Sequence, residues 1–459
     1  MSSDTQKNCG DLNQMWTYIK KEDYEKFINQ YSEFQDFAEE LILLETDDAY
    51  FLPRLFTKNY PSQYINEFAG GEKDFEPTKI ENIEFKGKLR LEQTHIINEL
   101  VKVYNDNNDV LNGIVKARPG LGKTVLSVYI AAQFKIKTLI VVDNQNLMKQ
   151  WIKAFLEFTN LTTDDIGIIQ KTAFGVDKPV IIAMAQTLLR KTKTNIQENF
   201  KKLDKAGIGL IVYDEVHATS SAPIFSKVSL LFRTKNILGL SATPFQTGLA
   251  EVLMKNTVGE IISDSKNYDT KPKYTLIHYK SNLDNKKQYV LNKMNDYLKK
   301  KSFYNKVIVE SIEYQNLVVN QTIAMLKKGH RVMILCFTKA QVKKLSEQLD
   351  YRDIENTKFF GEQREITYTE KLLVATYAYA GKGFDYKELS CLILACPLAG
   401  KKSLIQVVGR ILRKDDNKIS PEVIDLADLS VPGFTIPEIR MKKKVISDEF
   451  ECDIIEEHV

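Results

Sequence analysis

The chain has 459 residues, 43% of them hydrophobic and 27% charged, so it is too long for one ordinary core and too evenly mixed for a disordered polymer. No run of eighteen apolar residues occurs, and Met1 to Lys7 lacks the apolar stretch of a secretory signal, which excludes a helical membrane span and points to a soluble, cytoplasmic protein. The net charge of +4 conceals a division: residues 1–87 hold nine Lys or Arg against eighteen Asp or Glu, and the remainder carries +13. That basic balance suits a polyanionic partner, although segregation on solvated faces accounts for it equally well.

Taken in chain order, residues 20–44 space Phe27, Tyr31, Phe34, Ala38 and Leu41 along one helical face, and an aromatic stripe of this kind reads as core rather than as a base-stacking platform. Residues 1–87 are expected to form a small acidic accessory domain that ends near Gly70–Asp74. From 110 to 245, Ile114–Lys116, Thr138–Val142, Val180–Ala183, Gly209–Tyr213 and Asn236–Leu240 read as buried strands alternating with helices, the pattern of a parallel α/β sheet. Residues 271–306 hold ten Lys against two Asp, interleaved with Tyr279, Tyr289, Tyr297, Phe303 and Tyr304, either a solvated helix face or a nucleic-acid contact. A second α/β set follows, with strands at Arg331–Phe337, Lys371–Ala375 and Cys391–Ala395 and helices at Lys339–Leu349 and Ser403–Arg413. The last fifteen residues, rich in Glu and Asp, read as a loose tail. Five scattered cysteines without a C-x-x-C pair, and five histidines away from them, argue against a disulfide framework or a structural zinc.

Two motifs carry the chemistry. Ala117-Arg118-Pro119-Gly120-Leu121-Gly122-Lys123-Thr124 sits between a strand and an apolar helix, the place for a phosphate loop, with Ala117 where the general pattern has its first Gly. Glycines turn N–H groups toward phosphate oxygens, Lys123 supplies charge to the β and γ phosphates of ATP, and the Thr124 hydroxyl ligates Mg2+. Downstream, the strand Gly209–Tyr213 delivers Asp214-Glu215-Val216-His217 at its carboxyl end. Asp214 is expected to hold the magnesium and Glu215 to orient and deprotonate the attacking water. Farther on, Gln406, Arg410 and Arg413, spaced four and three apart, are expected on one helical face that offers two guanidinium groups to a phosphate.

With these motifs in this order, residues 88–415 resemble the superfamily 2 helicases of the DExH type. The resemblance implies two tandem RecA-like parallel-sheet motor domains, at 88–265 and, with a basic linker helix region, at 266–459, beside the N-terminal accessory domain of residues 1–87, which is expected to select the substrate, with the cleft between the motor domains closing around ATP so that Arg410 and Arg413 reach its phosphates. Leu89-Arg90-Leu91-Glu92-Gln93 resembles the adenine-reading element, which implies that Gln93 binds the base and Arg90 assists. Asn144–Trp151, including Gln150, is similar to the segment that touches the nucleic-acid backbone, with Asp143 where many relatives carry Pro. Ser241-Ala242-Thr243-Pro244, together with His217, matches the elements that couple hydrolysis to strand contact. Phe337-Thr338-Lys339, Ala375-Thr376 and Gly381-Lys382-Gly383-Phe384-Asp385 fall where the second motor domain meets backbone and nucleotide, Gly383 and Asp385 on the nucleotide side. Gln406–Arg413 matches Q-x-x-G-R-x-x-R.

The chain looks most like phage branched-DNA helicases of the UvsW kind and the RecG and Rad25 groups, a likeness that Val258–Ile262 shares. This implies an ATP-dependent DNA helicase or translocase, a monomer acting on forked or branched DNA in recombination or repair. An RNA helicase or transcript-release ATPase, and a duplex translocase that does not separate strands, remain as alternatives. A small-molecule kinase would not explain the second α/β set.

Overall fold

The computed structural model describes residues 15–69, 76–193, 203, 206–216, 222–232, 234–244, 248–265, 268, 270–360, 370–380, 386–397, 400–413, 415 and 418–459. Three sheets organise these residues. The first is antiparallel, in the order β2-β3-β1-β4, from β1 (Met15–Lys20), β2 (Leu44–Glu45), β3 (Ala49–Leu52) and β4 (Ile65–Ala69). It shares one compact unit with the second sheet; the third sheet makes up most of the other unit, from Lys266 to Val459.

The second sheet contains β5 (Asn112–Ala117), β6 (Thr138–Val142), β7 (Ile166–Gln170), β8 (Ala173–Phe174), β9 (Val180–Met184), β10 (Leu210–Asp214), β11 (Asn236–Ser241) and β12 (Ile261–Ser265). Their spatial order is β12-β5-β11-β10-β6-β9-β7-β8, parallel except for the β7–β8 hairpin. Every residue of β6, β10 and β11 is buried, as helices on both faces of a parallel sheet require. All five strands read from the sequence are present within one or two residues; β7, β8 and β12 were not foreseen.

Residues 20–44 depart from the single helix expected of them. The helix Lys21–Gln30 stops because Tyr31 leaves the α region, at φ −126° and ψ 85°, and two short 3-10 turns follow at Ser32–Phe37 and Glu39–Leu41. The tighter period still turns Phe27, Phe34 and Leu41 inward, so the core reading stands. That core does not close on itself. Phe27, Phe34, Phe51 and Phe56 belong to one apolar cluster with Leu139, Ile181, Ile211, Phe225 and Leu253 on one face of the second sheet. Polar contacts reinforce it: Arg54 Nη1 donates to Thr234 O at 2.8 Å, Leu55 N to Asn256 O at 2.8 Å, and Asn59 Nδ2 to Asn256 Oδ1 at 2.9 Å.

The third sheet is all parallel, in the order β15-β16-β14-β17-β18-β13-β19, from β13 (Lys273–Tyr279), β14 (Val332–Cys336), β15 (Thr357–Phe359), β16 (Leu372–Thr376), β17 (Cys391–Leu394), β18 (Glu422–Asp428) and β19 (Ile454–His458). The tail expected to be loose thus contributes a strand. β13 would otherwise offer an open edge, and main-chain pairing from Tyr274↔Ile454 to His278↔His458 outweighs the polar composition, with Lys443 Nζ 2.6 Å from Glu456 Oε1. The lysine-rich stretch forms β13 and the helices Asn285–Lys293 and Tyr297–Val307. Its aromatics divide: Tyr279 and Tyr304 are buried, the latter donating to Asp428 Oδ2 at 3.0 Å, whereas Tyr289 and Tyr297 are exposed. Among the described residues no helix is long and apolar enough to cross a membrane.

Candidate nucleotide and nucleic-acid site

The carboxyl ends of four adjacent strands, β5, β11, β10 and β6, carry the first unit's motif residues, the edge where open parallel sheets bind ligands. After β5 the chain turns through Gly120 at φ +83° and Gly122 at φ +92°, both in the left-handed region that glycine enters without steric cost, and then starts the helix Lys123–Phe134. A Cβ on Gly122 would lie 2.5 Å from Gln93 Nε2 and 3.0 Å from Arg90 Nη2, so glycine is also required by space. Ala117 closes β5, fully buried and outside the left-handed region, so the backbone makes no demand for the glycine usual there.

Arg90 and Gln93 brace this loop. Both side chains donate to Leu121 O, Gln93 Nε2 at 2.9 Å, while Gln93 Oε1 accepts from Arg90 N at 2.8 Å and caps the helix Leu91–Asp106. Lys123 Nζ donates to Ala117 O at 3.0 Å, across the loop, and Thr124 lies in the first turn of the helix.

Asp214 ends β10 and is 6% exposed. Burial, then the Glu215 carboxylate beside it, holds its carboxyl well above the usual range, and Asp143 adds to this, while the Trp151 hydrogen bond and the Lys123 charge oppose it. Lys123, Asp143, Asp214 and Glu215 therefore share one electrostatic neighbourhood. Glu215 sits at φ +57°, strained backbone for a residue with a Cβ. The chain then hooks back, Val216 N donating to Leu240 O at 3.1 Å, and Thr243 N donates to Ser241 Oγ at 3.0 Å at the end of β11. His217 lies outside the described residues.

Asn144 follows β6 as the N-cap of the helix Gln145–Phe158, its Oδ1 accepting from Leu147 N at 3.0 Å. Gln150 is half-buried on that helix. Trp151, expected within a nucleic-acid contact, is 1% exposed and donates from Nε1 to Asp214 Oδ2 at 2.8 Å. It reaches the carboxylates, not the surface, because the helix face that carries Met148, Trp151 and Phe155 packs into the sheet. Sequence reasoning missed this contact; the signal available was an indole on the inward i, i+3, i+7 face.

In the second unit Thr338 caps the helix Lys339–Asp350, its Oγ1 accepting from Gln341 N at 3.1 Å, and Lys339 is exposed. Thr376 ends β16. Gly383 and Asp385 lie outside the described residues. Gln406 and Arg410 share the helix Lys401–Ile411, but Arg413 does not: the helix ends two residues earlier, where buried Leu412 takes φ −94° and ψ 2° and turns into the core. The expected three-residue helical face is therefore a two-residue face with Arg413 just past the cap.

The oxygen donors present suit a hard divalent cation: one buried carboxylate at the strand end and one hydroxyl at the helix start, beside a glycine cradle that a Cβ would fill. No cluster of three or more His, Cys, Asp or Glu fit to hold a metal occurs among the described residues.

The family described as "Type III restriction enzyme, res subunit" matches residues 86–246. The chain is 26% identical to "Putative ATP-dependent RNA helicase L396" of Acanthamoeba polyphaga mimivirus, over 77% of this chain and 67% of that protein. These matches support a superfamily 2 helicase. This helicase is also 34% identical to "DNA 3'-5' helicase XPB" of Mycobacterium tuberculosis, over 29% of its own length and 23% of the relative's. Its fold is similar to that of S. cerevisiae Dbp5 bound to RNA and ADP BeF3, at TM-score 0.52 and 15% identity, covering 79% of this chain and 89% of that one. Its sheets are those of tandem RecA-like domains, and it is an ATP-dependent helicase-type enzyme acting on nucleic acid.

Proposed function

We propose that this helicase is a DNA helicase or translocase that works on forked or branched DNA, as in recombination or repair. The observation that carries the reading is the convergence of Lys123, Asp214 and Glu215 at one sheet edge, with Asn144 capping a helix at the same edge. Lys123 binds the β and γ phosphates of ATP, Glu215 orients and deprotonates the attacking water, and Arg410 and Arg413 answer the charge on the transferring phosphoryl group. Thr124 and Asp214 would hold a magnesium ion, which neutralises phosphate charge when bound. Arg90 and Gln93 keep the loop in shape and place Gln93 to read the base. Gly383 and Asp385 belong to the nucleotide side, and His217, Ser241, Ala242 and Thr243 relay hydrolysis to strand contact.

The N-termini of the helices capped by Asn144 and Thr338, with Gln150, Lys339 and Thr376, serve the strand backbone, since helix starts attract phosphate. Contacts of this type are independent of base sequence and sensitive to salt. The basic balance of +13 outside residues 1–87 supports a polyanionic partner. DNA is preferred on the likeness to branched-DNA helicases and the identity with the mycobacterial DNA helicase. The mimiviral relative, named an RNA helicase, favours the second reading, an RNA helicase or transcript-release enzyme.

Rates of ATP hydrolysis and strand displacement across single-stranded, duplex, forked, four-way and RNA substrates decide between them. Stimulation and unwinding greatest on forked or four-way DNA are expected. Equal or greater stimulation by RNA, or a Lys123→Ala variant that unwinds a fork like the parent, would overturn the reading.

A further inference from the structure

The bond between Trp151 and Asp214 joins two buried groups that the sequence assigns to different tasks. Trp151 projects from the second turn of the Asn144-capped helix, locked by its neighbours: Met148 and Phe155 lie on the same buried face, with the Phe155 ring centroid 6.2 Å from that of Trp151. A buried indole N–H needs an acceptor, and many would serve. Here the acceptor is Asp214 Oδ2, at 2.8 Å. The strands beneath explain the meeting, because β6 and β10 are neighbours in register from Thr138↔Leu210 to Val141↔Tyr213, so the helix leaving β6 starts beside the end of β10 and Trp151 reaches Asp214 from it.

An indole N–H is a neutral donor. A lysine or arginine in its place would fix the carboxylate and also cancel its charge, leaving less for a cation to bind. The indole instead fixes the rotation of the carboxylate through one oxygen and leaves the negative charge in place. We propose that Trp151 is a positioning residue for the metal-holding carboxylate of this ATPase, orienting Asp214 so that its other oxygen is available to magnesium. The proposal rests on the reading of Asp214 as a magnesium holder.

The test uses the full chain and measures equilibrium binding of a fluorescent, non-hydrolysable ATP analogue as magnesium is varied. Two variants remove the donor. Trp151→Phe keeps an aromatic ring. The other replaces Trp151 by benzothienylalanine, a near-isostere with sulfur in place of N–H, in a Trp16→Phe background so that Trp151 is the one tryptophan exchanged; the chain has two. Both are expected to raise the magnesium concentration for half-saturation about tenfold, as loss of a ligand-orienting hydrogen bond does at metal sites. Binding of the analogue in EDTA should change less than about twofold, and the isosteric chain should keep its parent's unfolding midpoint, which a packing role alone would not reconcile with a shifted metal dependence.

Asp214→Asn is measured in parallel. If Asp214→Asn shifts the metal dependence while the isosteric replacement leaves it within about twofold of the parent, Trp151 is not a positioning residue. If Asp214→Asn itself leaves the dependence unchanged, the reading of Asp214 fails, and the proposal with it.

Discussion

Each parallel sheet buries an aspartate in a central strand, and the two are treated in opposite ways. Asp425 in β18 is fully buried, bonded by Lys442 Nζ at 2.7 Å and by Tyr274 Oη at 2.7 Å, and Lys442 also meets Glu438 at 3.0 Å. Burial works to lower the Lys442 pKa, but the two carboxylates outweigh it and hold the ammonium charged. Asp214 in β10 takes a neutral indole donor, and its carboxyl is pushed up by burial and by Glu215. The difference lies in position along the strand. Asp425 is in mid-strand, where nothing from outside can reach it, so its charge must be balanced from within. Asp214 is the last residue of its strand, at the edge where ligands bind, and its charge is left for a ligand to use.

Breaking the pairing at Asp425 should have the largest effect. Lys442→Met strands Asp425 and Glu438 and is expected to cost about 3–5 kcal/mol, read as a lower guanidinium midpoint for the transition of the second unit. Asp425→Asn should cost less, because Glu438 remains to pair Lys442. At the other acid the expectation reverses. Asp214→Asn should leave the unfolding midpoint unchanged or raised, since a buried charge is removed, while ATP hydrolysis falls on the order of 10²–10³-fold. A marked loss of stability in this variant would erase the contrast.

The first unit takes structural support from the antiparallel sheet instead. Arg54→Met removes a charged donor from Thr234 O and Lys235 O and should cost about 2 kcal/mol in the first unit's transition, with the second unit unaffected. Removing residues 1–69 would uncover Phe225 and Leu253, so loss of soluble, active protein is expected in place of a motor that merely loses substrate choice. The smallest effects are at the two helix caps. Asn144→Ala and Thr338→Ala should each cost about 1 kcal/mol of stability and, if these helix starts bind phosphate, weaken single-strand binding equally at all base sequences. Salt titration of binding by the parent and both variants measures this.

The strands β5, β6, β9, β10, β11, β14, β16 and β17 were legible because each is a short apolar run, buried on both faces. β13 and β18 were not, for they mix Lys, His and Asp into the run, and the β18 acids find their partners only elsewhere along the chain: Lys442 pairs Asp425, and the Ser281 and Tyr304 hydroxyls donate to Asp428. β19 was unreadable for the same reason, its Glu456 answered by Lys443 and His278.

Local order alone determined the phosphate loop, the carboxylates after β10 and the glycines that the loop's left-handed turns demand, since these depend on spacing within a few residues. Only the tertiary structure decided that Trp151 is buried with its indole N–H on Asp214, that Arg413 lies past its helix, and that the acidic N-terminal sheet completes the core of the first motor sheet. Those outcomes depend on which strands lie side by side and which side chains they bury, and neighbours in space are not written in neighbours along the chain.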